Sequence, residues 1–105
     1  MEVVNSARDE MQKLSRRVDA ELRSYQKRNV TFYVVAHTKT VATVNLIVTG
    51  KRGTGQVDLV IVYDELDEAW TVHSQGKIYY LNSFGDIKMV AKGIITRLQS
   101  ALMKV

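Results

Sequence analysis

The chain has 105 residues, 46% hydrophobic and 25% charged, with six glycines and neither proline nor cysteine. That composition describes one ordinary globular domain over residues 1–105 and excludes a disulfide framework, a thiol nucleophile, a thiolate metal site and proline-rich linkers. Fifteen Lys/Arg against eleven Asp/Glu give a formal net charge of +4, basic but without a polybasic tail. A domain of this size buries roughly 60–70% of its unfolded surface, enough for a core without staples. No apolar run reaches the roughly 18–20 residues of a membrane span, and Met1-Glu2-Val3-Val4-Asn5 lacks a signal-peptide core. The sequence therefore reads as soluble, unprocessed and cytoplasmic.

From Val4 to Tyr25 the apolar positions Val4, Ala7, Met11, Leu14, Val18, Leu22 and Tyr25 recur at steps of three and four, the spacing of one helix face. Ser6 with Asp9 three residues later resembles a capping box, whose hydroxyl can accept from the free N–H groups of the first turn. The opposite face is charged or amide, with Arg8, Arg16, Arg17 and Arg23 among its members, and must be solvated.

After Asn29 the period changes to two, and β-branched and aromatic residues become dense enough to exclude a helix. Five strands are expected near Val30–His37, Val41–Thr49, Gln56–Tyr63, Ala69–His73 and Lys77–Leu81. Their connections are Thr38-Lys39-Thr40, the glycine-rich Gly50–Gly55, the acidic Asp64–Glu68 and Ser74-Gln75-Gly76. All are of hairpin length, so an antiparallel meander is the economical topology.

A second helix is expected from Ser83, where Ser83 and Asp86 repeat the capping spacing, to the C-terminus. Ile87, Val90, Ala91, Ile94, Leu98, Ala101, Leu102 and Val105 form its apolar face, widened by Met89, Ile95 and Met103. Gly93 in the middle costs about 1 kcal/mol relative to Ala, which points to close packing on a neighbour. The fold class is α+β, in the order α-β-β-β-β-β-α, with both helices on one side of the sheet.

No constellation of acid, base and nucleophile stands out. Gly50-Lys51-Arg52-Gly53-Thr54-Gly55 would let backbone N–H groups approach a phosphate, but a P-loop needs a helix after its lysine and here a strand follows. Its plain reading is a hairpin whose glycines supply positive φ. The run Asp64-Glu65-Leu66-Asp67-Glu68 lacks the interleaved ligands and glycine of a calcium loop and reads as a solvated tip. His37 and His73 are too few for a catalytic zinc site, and a Ser74–His73–Asp64 grouping has no nucleophile elbow. Tyr33, Tyr63, Trp70, Tyr79 and Tyr80 lie on strands, with Tyr79 and Tyr80 pointing to opposite faces. Aromatics on the uncovered face are of the kind that stack on bases or dock a partner.

Residues 41–81 carry Gly50, Gly53, Gly55, Val57 and Trp70 in a strand–G-x-x-G-x-G–strand–tryptophan-strand order. This resembles the β-domain family of cytochrome-oxidase assembly factors and the presequence translocase, and the resemblance implies a non-enzymatic docking domain. The strand Tyr33-Val34-Val35-Ala36-His37 after a long helix is similar to the Q-V-V-A-G strand of cystatins, with His37 where that pattern has glycine.

The expectation is a non-enzymatic interaction module that needs no cofactor or metal and forms a homo-oligomer or docks on a protein partner. Helix one, roughly 34 Å long, should overhang eight-residue strands of about 27 Å. Its stripe Met11, Leu14, Val18, Leu22 and Tyr25 would then meet another helix. The alternative is a small basic nucleic-acid-binding protein, with Lys51 and Arg52 on the hairpin and Arg16 and Arg23 on helix one contacting phosphates.

Overall fold

A computed structural model describes residues 2–103, with side chains from 9 to 102. In chain order the elements are α1 (Glu2–Leu22, prolonged by a 3-10 turn Arg23–Tyr25), β1 (Val30–Ala36), β2 (Val41–Gly50), β3 (Gly53–Asp64), β4 (Ala69–Ser74), β5 (Lys77–Leu81), a 3-10 turn Phe84–Asp86, and α2 (Ile87–Met103). The strands lie side by side in sequence order, each antiparallel to the next. The fold is the α-β-β-β-β-β-α meander that the periodicity predicts.

Because successive strand residues point to opposite faces, the register divides the sheet cleanly. Val30 and Phe32, then Ala42, Val44, Leu46 and Val48, then Val57, Leu59 and Ile61, then Val72 all face inward and are buried. Both helices lie on that face, where Leu14, Val18 and Leu22 of α1 and Ile87, Ala91, Ile94 and Ile95 of α2 join the same core. Tyr63, Trp70 and Phe84 extend it at one end, with Trp70 ring to ring against Tyr63 and Phe84 at 4.8 Å each. The Arg17 guanidinium lies over the Phe84 ring at 4.0 Å and closes this end of the core.

The turns follow local chemistry. Gln75 and Gly76 both take positive φ, 53° and 77°, the two-residue turn whose twist suits a hairpin. The Asp64 carboxylate accepts from the N–H groups of Leu66 and Asp67 at 2.9 and 3.3 Å and shapes the acidic tip. Before α2 the Asp86 carboxylate accepts from the backbone N–H groups of Asn82 and Ser83 at 3.0 and 3.2 Å, so the expected capping pair forms.

The structure departs from the sequence reading at four points. The α1 helix already begins at Glu2, which puts Ser6 inside it, and the Ser6 side chain lies outside the described residues. The β2–β3 connection is not six residues but the pair Lys51-Arg52, because Gly53, Thr54 and Gly55 pair with Gly50, Thr49 and Val48. That lengthens β3 to 12 residues, about 40 Å against about 32 Å for α1, and removes the length argument for an overhanging helix. Gly93 is exposed, and a Cβ added there would meet nothing within 4 Å, so close packing is not its reason.

Close packing belongs instead to Gly50 and Gly55, both on the inner face where α2 ends. A Cβ on Gly50 would lie 2.6 Å from the Leu102 Cβ, and one on Gly55 would lie 3.3 Å from Leu98 Cδ2. The missing side chains form a notch into which the last turns of α2 settle. There the Arg52 N–H donates to the Leu102 carbonyl at 3.0 Å, satisfying a helix-end acceptor that would otherwise lack an intrahelical donor.

Candidate interaction face

With both helices on one side, the opposite face of the sheet is left uncovered by the described residues. Register aligns its side chains in rows across the strands. Val35, Thr43, Val60, His73 and Ile78 make one row. Val41, Val62, Thr71 and Tyr80 make the next, with His37 beside Val41 at the edge. Neither row contains an Asp, Glu, Lys or Arg. Val35, Ile78 and Tyr80 are 56%, 50% and 78% exposed, and Tyr33 in the neighbouring row is 63% exposed.

Polar groups on this face are mostly engaged with one another. His37 Nε2 lies 2.8 Å from Thr43 Oγ1, and His73 Nε2 lies 3.1 Å from Thr71 Oγ1. The Asn45 amide donates to the Asp58 carboxylate at 2.7 Å, bounding the uncharged rows on one side. On the other side stand Asp64 and the Lys39–Glu65 pair at 4.0 Å. An antiparallel sheet with one face toward water ordinarily alternates apolar-in with polar-out. Here the outward set is Val, Ile, Thr, Tyr and His, without the charges that usually keep such surfaces apart.

The apolar stripe expected to form a helix-one interface is buried within the chain. Leu14, Val18 and Leu22 are at most 5% exposed because they fill the chain's own core, so they offer no free surface. Met11 and Tyr25 are half-buried at the two ends of the stripe. A five-stranded sheet needs both helices to cover one face, which consumes the stripe internally.

The four basic residues do not converge. Lys51 and Arg52 are exposed at the β2–β3 tip, whereas Arg16 and Arg23 line a groove between α1 and β1 with Phe32, Tyr33 and Val34. Along the strands the tip lies some five residues, roughly 17 Å, beyond that groove. His73 and Ser74, neighbours on β4, point to opposite faces, and the buried Ser74 hydroxyl donates to the Asp58 carbonyl at 2.9 Å. The Ser74–His73–Asp64 grouping is therefore not assembled. Among the described residues no group of three or more His, Asp or Glu is placed to hold a metal, and no helix is long and apolar enough to cross a membrane.

The aromatics divide as alternation requires, with Tyr63, Trp70 and Tyr79 inward and Tyr33 and Tyr80 outward. Sequence reasoning did not single out the uncharged rows. Their signal was the lack of polar residues at the outward positions Val60 and Val62, inside the continuous run Leu59-Val60-Ile61-Val62-Tyr63. Comparison of the chain with protein-family models, curated proteins and solved structures finds no match.

Proposed function

We propose that the protein is a non-enzymatic interaction module whose uncovered sheet face packs against the same face of a second copy. The observation that carries this reading is the pair of adjoining rows, five strands wide, without formal charge. A chain of net charge +4 repels its copy over most approaches, and this face is where two copies meet without opposing like charges. With strands about 4.8 Å apart and outward residues every 6.8 Å, the two rows cover roughly 300 Å² in projection, smaller than the roughly 600–1,000 Å² each partner buries in a standard interface and suited to a weak, concentration-dependent dimer. Two such faces packed at about 10 Å would interdigitate as in a sheet sandwich.

Light scattering on the eluting wild-type chain is expected to give a mass that rises with concentration toward twice that of the 11.9 kDa protomer. Tyr80→Glu and Val60→Lys place a charge opposite its own image and should shift the dimer to monomer, with circular dichroism unchanged. A wild type that elutes as 11.9 kDa at every concentration, or a dimer indifferent to both variants, refutes the assignment.

A further inference from the structure

At the β1 edge of the sheet, the backbone itself presents a second surface. The bonds from His37 N–H to the Val41 carbonyl and from Thr49 N–H to the Asn29 carbonyl, 2.8 and 2.9 Å, mark 37 with 41 and 29 with 49 as bonded pairs. Antiparallel ladders alternate, so Thr31, Tyr33 and Val35 direct their N–H and C=O groups to β2, while the even residues direct theirs away from the sheet. Val30 is already satisfied by Lys27, through reciprocal bonds of 2.9 and 3.1 Å. Phe32, Val34 and Ala36 have no backbone hydrogen-bond partner among the described residues, leaving three donors and three acceptors in line along about 14 Å of edge.

Edge strands are ordinarily blunted by Lys, Pro, a bulge or an inward charge. The β1 strand, Val-Thr-Phe-Tyr-Val-Val-Ala, has none of these and no charged residue at all. The groove of about 340 Å³ beside this edge has its wall on α1, where Ser15, Arg16, Asp19 and Arg23 stand. Arg23 is paired with Asp19 at 2.7 Å, whereas Arg16 has no ion-pair partner among the described residues. The wall is therefore net positive. The other side of the same edge is apolar, with Tyr33 and Val35 exposed.

We infer that the β1 edge accepts an extended segment of a partner protein as a sixth strand, one in which acidic residues alternate with apolar ones. Main-chain bonds to Phe32, Val34 and Ala36 provide the pairing. Alternation then turns the acidic side chains toward Arg16 and Arg23 and the apolar ones toward Tyr33 and Val35. A second copy's β1 fits less well, because antiparallel pairing would bring the arginines of both protomers to the same side of the joined sheet. The site shares no hydrogen-bonding group with the dimer face, but Tyr33 and Val35 border both, so a copy packed on that face competes for the apolar side of the edge.

The test uses a labelled heptapeptide of alternating Glu and Val, with a Lys–Val repeat as control, titrated into the full chain while backbone amides are followed by NMR. The acidic peptide should perturb and protect the amides of Phe32, Val34 and Ala36 and bind at least tenfold more tightly than the basic one. Arg16→Glu combined with Arg23→Glu should invert that preference. Val34→Pro removes one outward donor without breaking a bond to β2 and should weaken binding at least tenfold. Since the charge-reversed variant changes only exposed side chains, it keeps the test meaningful if Val34→Pro unfolds. The Tyr80→Glu chain should bind the peptide at least as tightly as wild type, since Tyr33 and Val35 are then free of a second copy; this separates failure here from failure of the dimer assignment. Equal affinity for both peptides, shifts that bypass β1, or protection of those three amides in the wild type alone would overturn the proposal, the last in favour of β1–β1 pairing between copies.

Discussion

Two glycine-to-alanine substitutions should move stability in opposite directions, for reasons that differ by one neighbouring atom. At Gly50 the added Cβ falls 2.6 Å from the Leu102 Cβ and 3.2 Å from the Leu102 carbonyl oxygen. Carbon atoms rest at about 3.5–4.0 Å, so α2 and the hairpin must separate by about 1 Å. Overpacking of that kind costs about 1–3 kcal/mol, and the movement strains the Arg52 N–H bond to Leu102. At Gly93 the added Cβ meets nothing, and replacing glycine by alanine inside an exposed helix contributes about 0.5–1 kcal/mol. With roughly 4 °C per kcal/mol for a domain of this size, Gly50→Ala should lower Tm by about 4–12 °C and Gly93→Ala should raise it by about 2–4 °C. Calorimetry and urea titration on the same preparations measure both. Faster exchange of the Arg52 amide in Gly50→Ala would locate the damage at the helix end. If Gly50→Ala is neutral with that amide still protected, or Gly93→Ala destabilises, the account of both glycines is wrong.

Leu22→Ala should cost about 2–5 kcal/mol, because Leu22 is 1% exposed in the core; urea unfolding reads the loss, while sedimentation of the folded fraction should show an unchanged oligomeric state, contrary to what a helix-one interface would give. Arg17→Ala removes the guanidinium over Phe84 at 4.0 Å and near Trp70 at 5.8 Å. It should cost about 0.5–1 kcal/mol and shift the emission of Trp70, the single tryptophan. Asp86→Ala leaves the N–H groups of Asn82 and Ser83 without their acceptor. A loss of about 1 kcal/mol in urea unfolding is expected, with an α2 onset that frays by circular dichroism.

What the sequence disclosed, and what it concealed, follows from which interactions leave a local trace. The strands were legible because Val44, Leu46, Leu59 and Ile61 alternate with their neighbours, and the α2 cap because Ser83 and Asp86 act within one turn. Hairpin length was not, since Gly53 and Gly55 signal turn by residue type while their backbones pair as any strand does. Gly93 and Gly50 look alike in the sequence; only the path of α2 sets one in open space and the other against Leu102. The stripe of α1 is apolar in sequence and in structure, but periodicity does not say whether the surface meeting it is the chain's own. The uncharged rows were hidden for a related reason. Val60 and Val62 face outward between inward Leu59 and Ile61, and only register assigns them to their side.

The neighbourhood of the two helices has a consequence for the order in which the chain can be made safe. Each strand finds its partner through a short turn, so the sheet assembles from local pairings as the polypeptide lengthens. Its inner face cannot close that way. The α1 helix is present from the start, but α2 is the last of these elements to be synthesised, and the two meet only then, with Lys88 and Glu21 3.9 Å apart. Until residues 87–102 clear the ribosome, Leu46, Leu59 and Ile61 have no α2 to cover them. During that interval both faces of the nascent sheet expose apolar side chains, and collisions between unfinished chains lead to aggregation. A transcript whose translation stalls before α2 should therefore yield an insoluble product, although every strand of the sheet is already present in it.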